Sequence, residues 1–281
     1  MNYITVYARL KQLTVSLFRQ YNKKTDINFK ISEEATLNLI FERMLMLKKT
    51  VGYVIADSME YLPFTQVAKE YNGQTSIRRG NESTSIVLTD GKNELELIAV
   101  KCGVGKTNAA SATAFLIADE KADYIINAGL SGGISSVRRG DIVAGSSYTE
   151  CDFDLSPFGL KLGQKADGQP SVYFADETLL ELVKQVDPDI KVGKLGTGDF
   201  FLSDTDKKEN LKQIFDLTAF DMETGAIGSV CQKNNVPMLS IRKISDDAGD
   251  TSGDDYQEMN NRAEDHLAKI VIELCKKILA L

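Results

Sequence analysis

From Val51 onward, short β-branched runs alternate with helical stretches, which is the pattern of an α/β chain. V-G-Y-V-I-A over 51–56 predicts a buried strand, and E-L-E-L-I-A-V-K over 94–101 predicts another. G-V-G-K then leads into an alanine-rich helix over 105–119. A strand over 123–128 ends at Gly129 and gives way to a loop, L-S-G-G. D-I-V-A-G-S over 141–146 is a further strand, and helices near 176–185 and 206–215 flank a strand around 191–197. Residues 222–234 read as helical, 237–245 as a strand, and one last helix over about 256–279 closes the chain. No repeat or low-complexity linker interrupts the alternation.

The first 49 residues differ in kind. Tyr7, Leu10, Leu17 and Tyr21 fall near one helical face, and Leu37, Ile40, Phe41, Met44 and Leu47 form a second after a cap at Ser32. They read as an N-terminal helical extension that packs on the domain or on a partner subunit. Their basic, acid-free start also fits an organellar targeting peptide.

Composition changes this picture little. At 43% apolar and 26% charged, 281 residues suit one large α/β domain or two small ones. The four cysteines are widely spaced and form no C-x-x-C pair, as expected of reduced thiols in a cytoplasmic protein. No run approaches the roughly 18 apolar residues of a membrane helix. The net charge of −7 argues against nucleic acid, and more so beyond residue 24: the first 24 residues carry five basic groups and no acid, leaving −12 on the rest.

G-K-T at 105–107 tempts as the end of a phosphate-cradling loop, but that motif needs a glycine at position 100, which is Val100. A glycine-dependent strand-to-helix turn accounts for it. G-L-S-G-G (129–133), including Gly132, follows a strand end, where open α/β sheets carry ligands. F-D-M-E-T-G (220–225) places Asp221 and Glu223 either side of Met222 at the start of a helix. Arg242 lies within an apolar strand and Asp246 at its carboxyl end, while Glu60 follows the first strand. Taken singly, each acid also reads as a cap or a solvated first turn. His266 is the one histidine, on the last helix among acids, so a zinc site or a Ser–His–Asp triad has little to build on. Any general acid or base is then a carboxylate.

Together these segments resemble the nucleoside phosphorylase and nucleosidase superfamily, and within it the branch that hydrolyses 5′-methylthioadenosine and S-adenosylhomocysteine. The likeness covers about 50–281. It rests on G-Y-V-I-A…M-E, G-V-G-K-T-N-A-A, I-I-N-A-G-L-S-G-G, R-R-G-D-I-V, G-T-G-D-F-F, F-D-M-E-T-G-A-I and I-R-K-I-S-D, all in the family's order. The resemblance implies a single α/β domain over 50–281, three-layered, with a central mixed, twisted sheet flanked by helices. It implies cleavage of an adenine nucleoside by water, with no metal or organic cofactor, in a homodimer. By position, Asp246 would protonate the purine ring and Glu60 would deprotonate the attacking water. Glu223 and the Met222 backbone would hold the ribose hydroxyls, and Arg242 would lie near the water. Phe201 would stack on adenine, the Leu202 backbone would read its edge, and Phe158 would pack on the 5′-substituent of a neighbouring subunit's ligand. An acid and an anion either side of the bond are what glycoside cleavage needs.

Two positions depart from the family pattern: Leu130 stands where a small polar residue is usual, and A-D-S-M-E where an acidic run is more common. The rival of the same fold is a phosphorylase, which holds phosphate with arginines, typically one in the loop after the first strand. Here that loop, D-S-M-E-Y-L, carries acids, and like charge excludes a dianion. A non-catalytic nucleoside-binding protein would keep Phe201 and Glu223, with nothing to favour Glu60 and Asp246 together.

Overall fold

The computed structural model describes residues 48–281. The helices expected within 1–47 lie outside the described residues, and Lys48 and Lys49 already belong to the first strand. In chain order the elements are β1 (Lys48–Ile55), α1 (Ser58–Ala68), β2 (Gln74–Arg78), β3 (Asn81–Thr89), β4 (Glu94–Lys101), α2 (Lys106–Ala118) and β5 (Tyr124–Gly133). Then come β6 (Ile142–Glu150), β7 (Val172–Phe174), α3 (Glu177–Val186), β8 (Lys191–Thr197), α4 (Thr205–Phe215) and β9 (Ala219–Asp221). The last are α5 (Thr224–Asn234), β10 (Met238–Asp246), α6 (Ser252–Arg262) and α7 (His266–Leu279).

The strands form one ten-stranded mixed sheet in the order β10-β6-β8-β9-β5-β1-β4-β3-β2, with β7 beside β6. β5 also pairs with β10, so β5, β10, β6, β8 and β9 close into a ring while β1, β4, β3 and β2 extend as a wing. β5 makes this possible through its length. Residues 124–127 run parallel to β1, 125–132 run parallel to β10, and Gly132 and Gly133 pair antiparallel with β9.

Period-2 burial puts apolar side chains on both faces of the sheet. Val51, Tyr53 and Ile55, with Leu95 and Leu97, pack in one cluster with Phe64 of α1, Leu179 and Val183 of α3, and the inner stripe of α7. Val54, Ile98 and Val100 face the opposite way, to Ala109, Ala112 and Leu116 of α2 and Ile227 of α5. The described residues around this sheet are therefore layered helix–sheet–helix, as the resemblance implies. All nine residues of β10 are buried, Arg242 and Lys243 included.

Two expected elements differ. L-S-G-G is not a loop but the end of β5, held as strand by its pairing with β10 and β9. The last helix is two: Ala263 adopts the left-handed conformation (φ 45°) and ends α6, and α7 starts anew after Asp265. The β2–β3 hairpin, not expected from the sequence, turns at Arg79 and Gly80, both at positive φ, as a two-residue hairpin turn requires.

Candidate active site

A pocket of about 540 Å³ opens at the carboxyl ends of β1, β5, β9 and β10. Glu60 reaches it from the first turn of α1. Asp57 caps that helix by accepting from Met59 N at 2.7 Å, and its own N–H donates to Glu60 Oε2 at 3.3 Å, completing a capping box. Glu60 Oε1 accepts from Leu130 N at 2.6 Å, so both oxygens are tied down. Burial raises the Glu60 pKa, against the Leu130 N–H and the nearby Arg242 charge, which lower it. Gly129 permits this approach, since a Cβ there would lie 2.7 Å from Glu60 Oε1 and 2.9 Å from Arg242 Nη1.

Asp246 ends β10 beyond a register shift that begins after Ile244. Its Oδ2 accepts from Ser245 Oγ at 2.6 Å and its Oδ1 from Ala248 N at 2.8 Å, and it is 3% exposed. Gly132 lies opposite, where a Cβ would come within 3.0 Å of Asp246 Oδ1. The third acidic element is the β9–α5 junction. Asp221 Oδ1 accepts from the N–H groups of Glu223 (3.0 Å) and Thr224 (2.9 Å) and from Thr197 Oγ1 (2.8 Å). Glu223 Oε1 accepts from Gly105 N at 3.0 Å, and Gly105 takes φ 99°, open only to glycine. Burial raises the Glu223 pKa, Asp221 adds to the rise, and Arg242 and the Gly105 N–H oppose it. The lysine of the G-K-T segment does not face a phosphate: Lys106 Nζ pairs with Asp152 at 2.6 Å and Glu150 at 3.4 Å.

Arg242 is the largest fully buried side chain among the described residues. Its Nε lies 3.1 Å from Asp221 Oδ2 and its Nη2 3.6 Å from Glu223 Oε2; Nη2 also donates to Thr224 Oγ1 at 2.7 Å and to Asn127 Oδ1. It stands behind the pocket rather than in its lining.

Phe201, 44% exposed, lines the mouth with its ring edge-on to Tyr256, centroids 5.5 Å apart. Leu202 and Met222 also line the pocket. The structure thus gathers Glu60, Asp246, Phe201, Leu202, Met222, Glu223 and Gly132 at one cavity. It leaves out Phe158, 81% exposed on a short turn (Ser156–Phe158) outside this chain's pocket.

Sequence reasoning passed over Ser131 and Tyr256, both in the lining. Ser131 is 4% exposed, and its Oγ is the single buried side-chain polar atom without a partner among the described residues. The hydroxyl beside Leu130 was the available signal.

A profile described as the Phosphorylase superfamily matches residues 50–276. The chain belongs to the phosphorylase superfamily. A 5′-methylthioadenosine/S-adenosylhomocysteine nucleosidase of Geobacillus sp. (strain WCH70) is 36% identical over 193 residues, 66% of this chain and 83% of that protein. The solved structures that resemble this chain include two nucleosidases. The nucleosidase of that name from S. pneumoniae, with a transition-state inhibitor, aligns over 81% of this chain and 98% of its own at 26% identity and TM-score 0.72. The one from Neisseria meningitidis, in complex with methylthio-immucillin-A, aligns over 82% and 99% at 27% identity and TM-score 0.72. The expected superfamily and fold are borne out.

Because Arg242 compensates two buried carboxylates, Arg242→Leu should cost about 3–5 kcal/mol in urea unfolding, the scale of stranding a buried charge. A loss near zero would show that the cluster is not held together by this ion pair.

Proposed function

We propose that the chain hydrolyses the N-glycosidic bond of 5′-methylthioadenosine, S-adenosylhomocysteine or both, releasing adenine and the free 5′-thio sugar. One observation carries the choice of water over phosphate. The pocket lining includes Asp57, Glu60, Asp221, Glu223 and Asp246 and no lysine or arginine, while Arg242 behind it is already paired with Asp221 and Glu223. A phosphate dianion would meet like charge there, at a cost no contact offsets. The thio-nucleoside class is supported by the names of the relatives.

Glu60 and Asp246 flank the end of β5, one bonded at Leu130 and the other facing Gly132. Two residues along a strand span about 7 Å, room for a sugar carbon between them. In this reading Asp246 gives its proton to the purine as the C1′–N bond breaks and its electron pair leaves with the base. The oxygen of water forms the new bond to C1′, and its proton goes to Glu60. Glu223 and the Met222 backbone hold the ribose hydroxyls, Phe201 stacks on the base, and the Leu202 backbone reads its edge. Arg242 holds Asp221 and Glu223 in place and adds positive charge beside Glu60. Ser131 Oγ is left for the substrate.

A homodimer completes this reading. The exposed Phe158 ring outside this chain's own pocket supports a role over a second copy's ligand, and an active monomer by light scattering would remove that support. Residues 50–281 form the catalytic domain in this proposal. The four free cysteines support a reducing, cytoplasmic setting. Among the described residues no helix is long and apolar enough to cross a membrane.

Incubation with methylthioadenosine, with and without phosphate, should give free adenine and free thio sugar at one rate. A sugar 1-phosphate would make the enzyme a phosphorylase instead. Asp246→Asn should slow kcat by about 10²–10⁴-fold, the scale of losing a general acid.

Glu60 acts as a base only when ionised, and its pKa is raised. The fall of kcat/KM on acidification should therefore begin above the ordinary carboxylate range, and the much slower Glu60→Gln should lack that limb. An unchanged limb in the variant would assign it to another group.

Ser131→Ala removes an unpaired hydroxyl, so Tm should hold or rise while KM rises roughly three- to tenfold, the scale of one neutral hydrogen bond. A lower Tm with unchanged KM would make the hydroxyl structural.

A further inference from the structure

A second cavity, about 450 Å³, lies beside α1, α6 and α7. Glu60 and Leu130 line both cavities, and the bond from Leu130 N to Glu60 Oε1 is part of the wall between them. The base of the proposed reaction therefore fronts two spaces.

The rear cavity has a largely apolar wall, including Met59, Pro63, Met259 and Leu267, along which Lys243, Glu264, Asn260, Tyr53 and Glu60 are the polar groups. At its outer side Lys243 pairs with Glu264, whose side chain is 42% exposed, so the mouth meets solvent. Inside, Asn260 donates to Asp57 Oδ1 at 3.2 Å, and the Asp57 N–H in turn donates to Glu60. Tyr53, 2% exposed, also lines it, with its ring packed edge-on against Phe64. Tyr53 shares this lining with Glu60, whose charge, like that of Arg242, acts on its hydroxyl. These side chains are the groups that could partner a water molecule on its way in from solvent.

Resting on the hydrolase reading above, we propose that this rear cavity is the water entrance of the active site. A nucleoside in the front pocket places its base toward Phe201 and Asp246 and closes that mouth. Water must attack the sugar carbon from the side away from the departing base, which is the side of Glu60. The rear cavity supplies that side without requiring the nucleoside to leave. Tyr53 hands water to Glu60 as a positioning residue and touches no reacting atom.

The test fills the cavity from its apolar wall. Leu267, half-buried on α7, lines it and is not among the residues lining the nucleoside pocket. Leu267→Trp in the full chain should lower kcat for methylthioadenosine about tenfold, with KM and the Kd of adenine held within about twofold. Tyr53→Phe keeps the ring and removes the hydroxyl, and it should lower kcat severalfold with the same unchanged KM. A Leu267→Trp protein with wild-type Tm and wild-type kcat would overturn the proposal, as would KM and kcat deteriorating together in both variants. Should Leu267→Trp fail to fold, Tyr53→Phe decides alone: wild-type kcat overturns the proposal. A wild-type chain that cleaves no adenine nucleoside would fail the underlying reading instead, and that result is distinguishable because it precedes any variant.

Discussion

Burying a guanidinium is costly unless every donor finds an acceptor, and that constraint organises the molecule around Arg242. Its partners come from β5 (Asn127 and the Leu130 carbonyl), from the β9–α5 junction (Asp221, Glu223 and Thr224) and from its own strand (Ser240). They cannot all be satisfied unless β5, β9 and β10 are in register, so the ion cluster penalises alternative pairings of these strands. The strand ends that hold the acids are thereby set relative to one another before any ligand arrives.

The same cluster sets the electrostatics of the pocket. Asp221 is consumed by Arg242 and by three donors at Oδ1. Glu223 keeps a weaker hold on Arg242 and one bond to Gly105. Glu60 and Asp246 each have both oxygens engaged, which orients them while leaving further lone pairs facing the cavity. A site lined this way favours neutral or cationic groups, and it strengthens as an oxocarbenium-like sugar develops positive charge.

Much of this was legible in the sequence, for reasons tied to particular segments. β4 and β8 have the expected bounds because their apolar runs end sharply at polar or glycine residues. α1 escapes a pattern reading because Pro63 lies inside it and its face is short. β7 and β9 are three residues each, too short for any periodicity. The ring closure of the sheet was invisible, since it depends on β5 pairing with three strands at once. At the site, Glu60, Glu223 and Asp246 stand out by motif and order. Arg242 in an apolar strand was conspicuous, but its several partners are contributed by distant segments. Ser131 and Tyr256 carry no pattern that separates them from ordinary strand and helix residues.

The length of β5 has a mechanical consequence. A strand paired along its whole course, by β1, β10 and β9 in turn, moves as one body with its neighbours. Glu60 and Arg242 are bonded to its backbone, and Asp246 belongs to the strand beside it. Glu60, Asp246 and Arg242 thus ride on one stiff plate, and in the proposed reaction none would be withdrawn to admit a nucleoside. In the proposed reaction, entry and release would fall to parts off that plate, the Phe201 segment and the polar helix α6 that carries Tyr256. The chemistry would then be fixed in the sheet and the motion of each turnover confined to its rim.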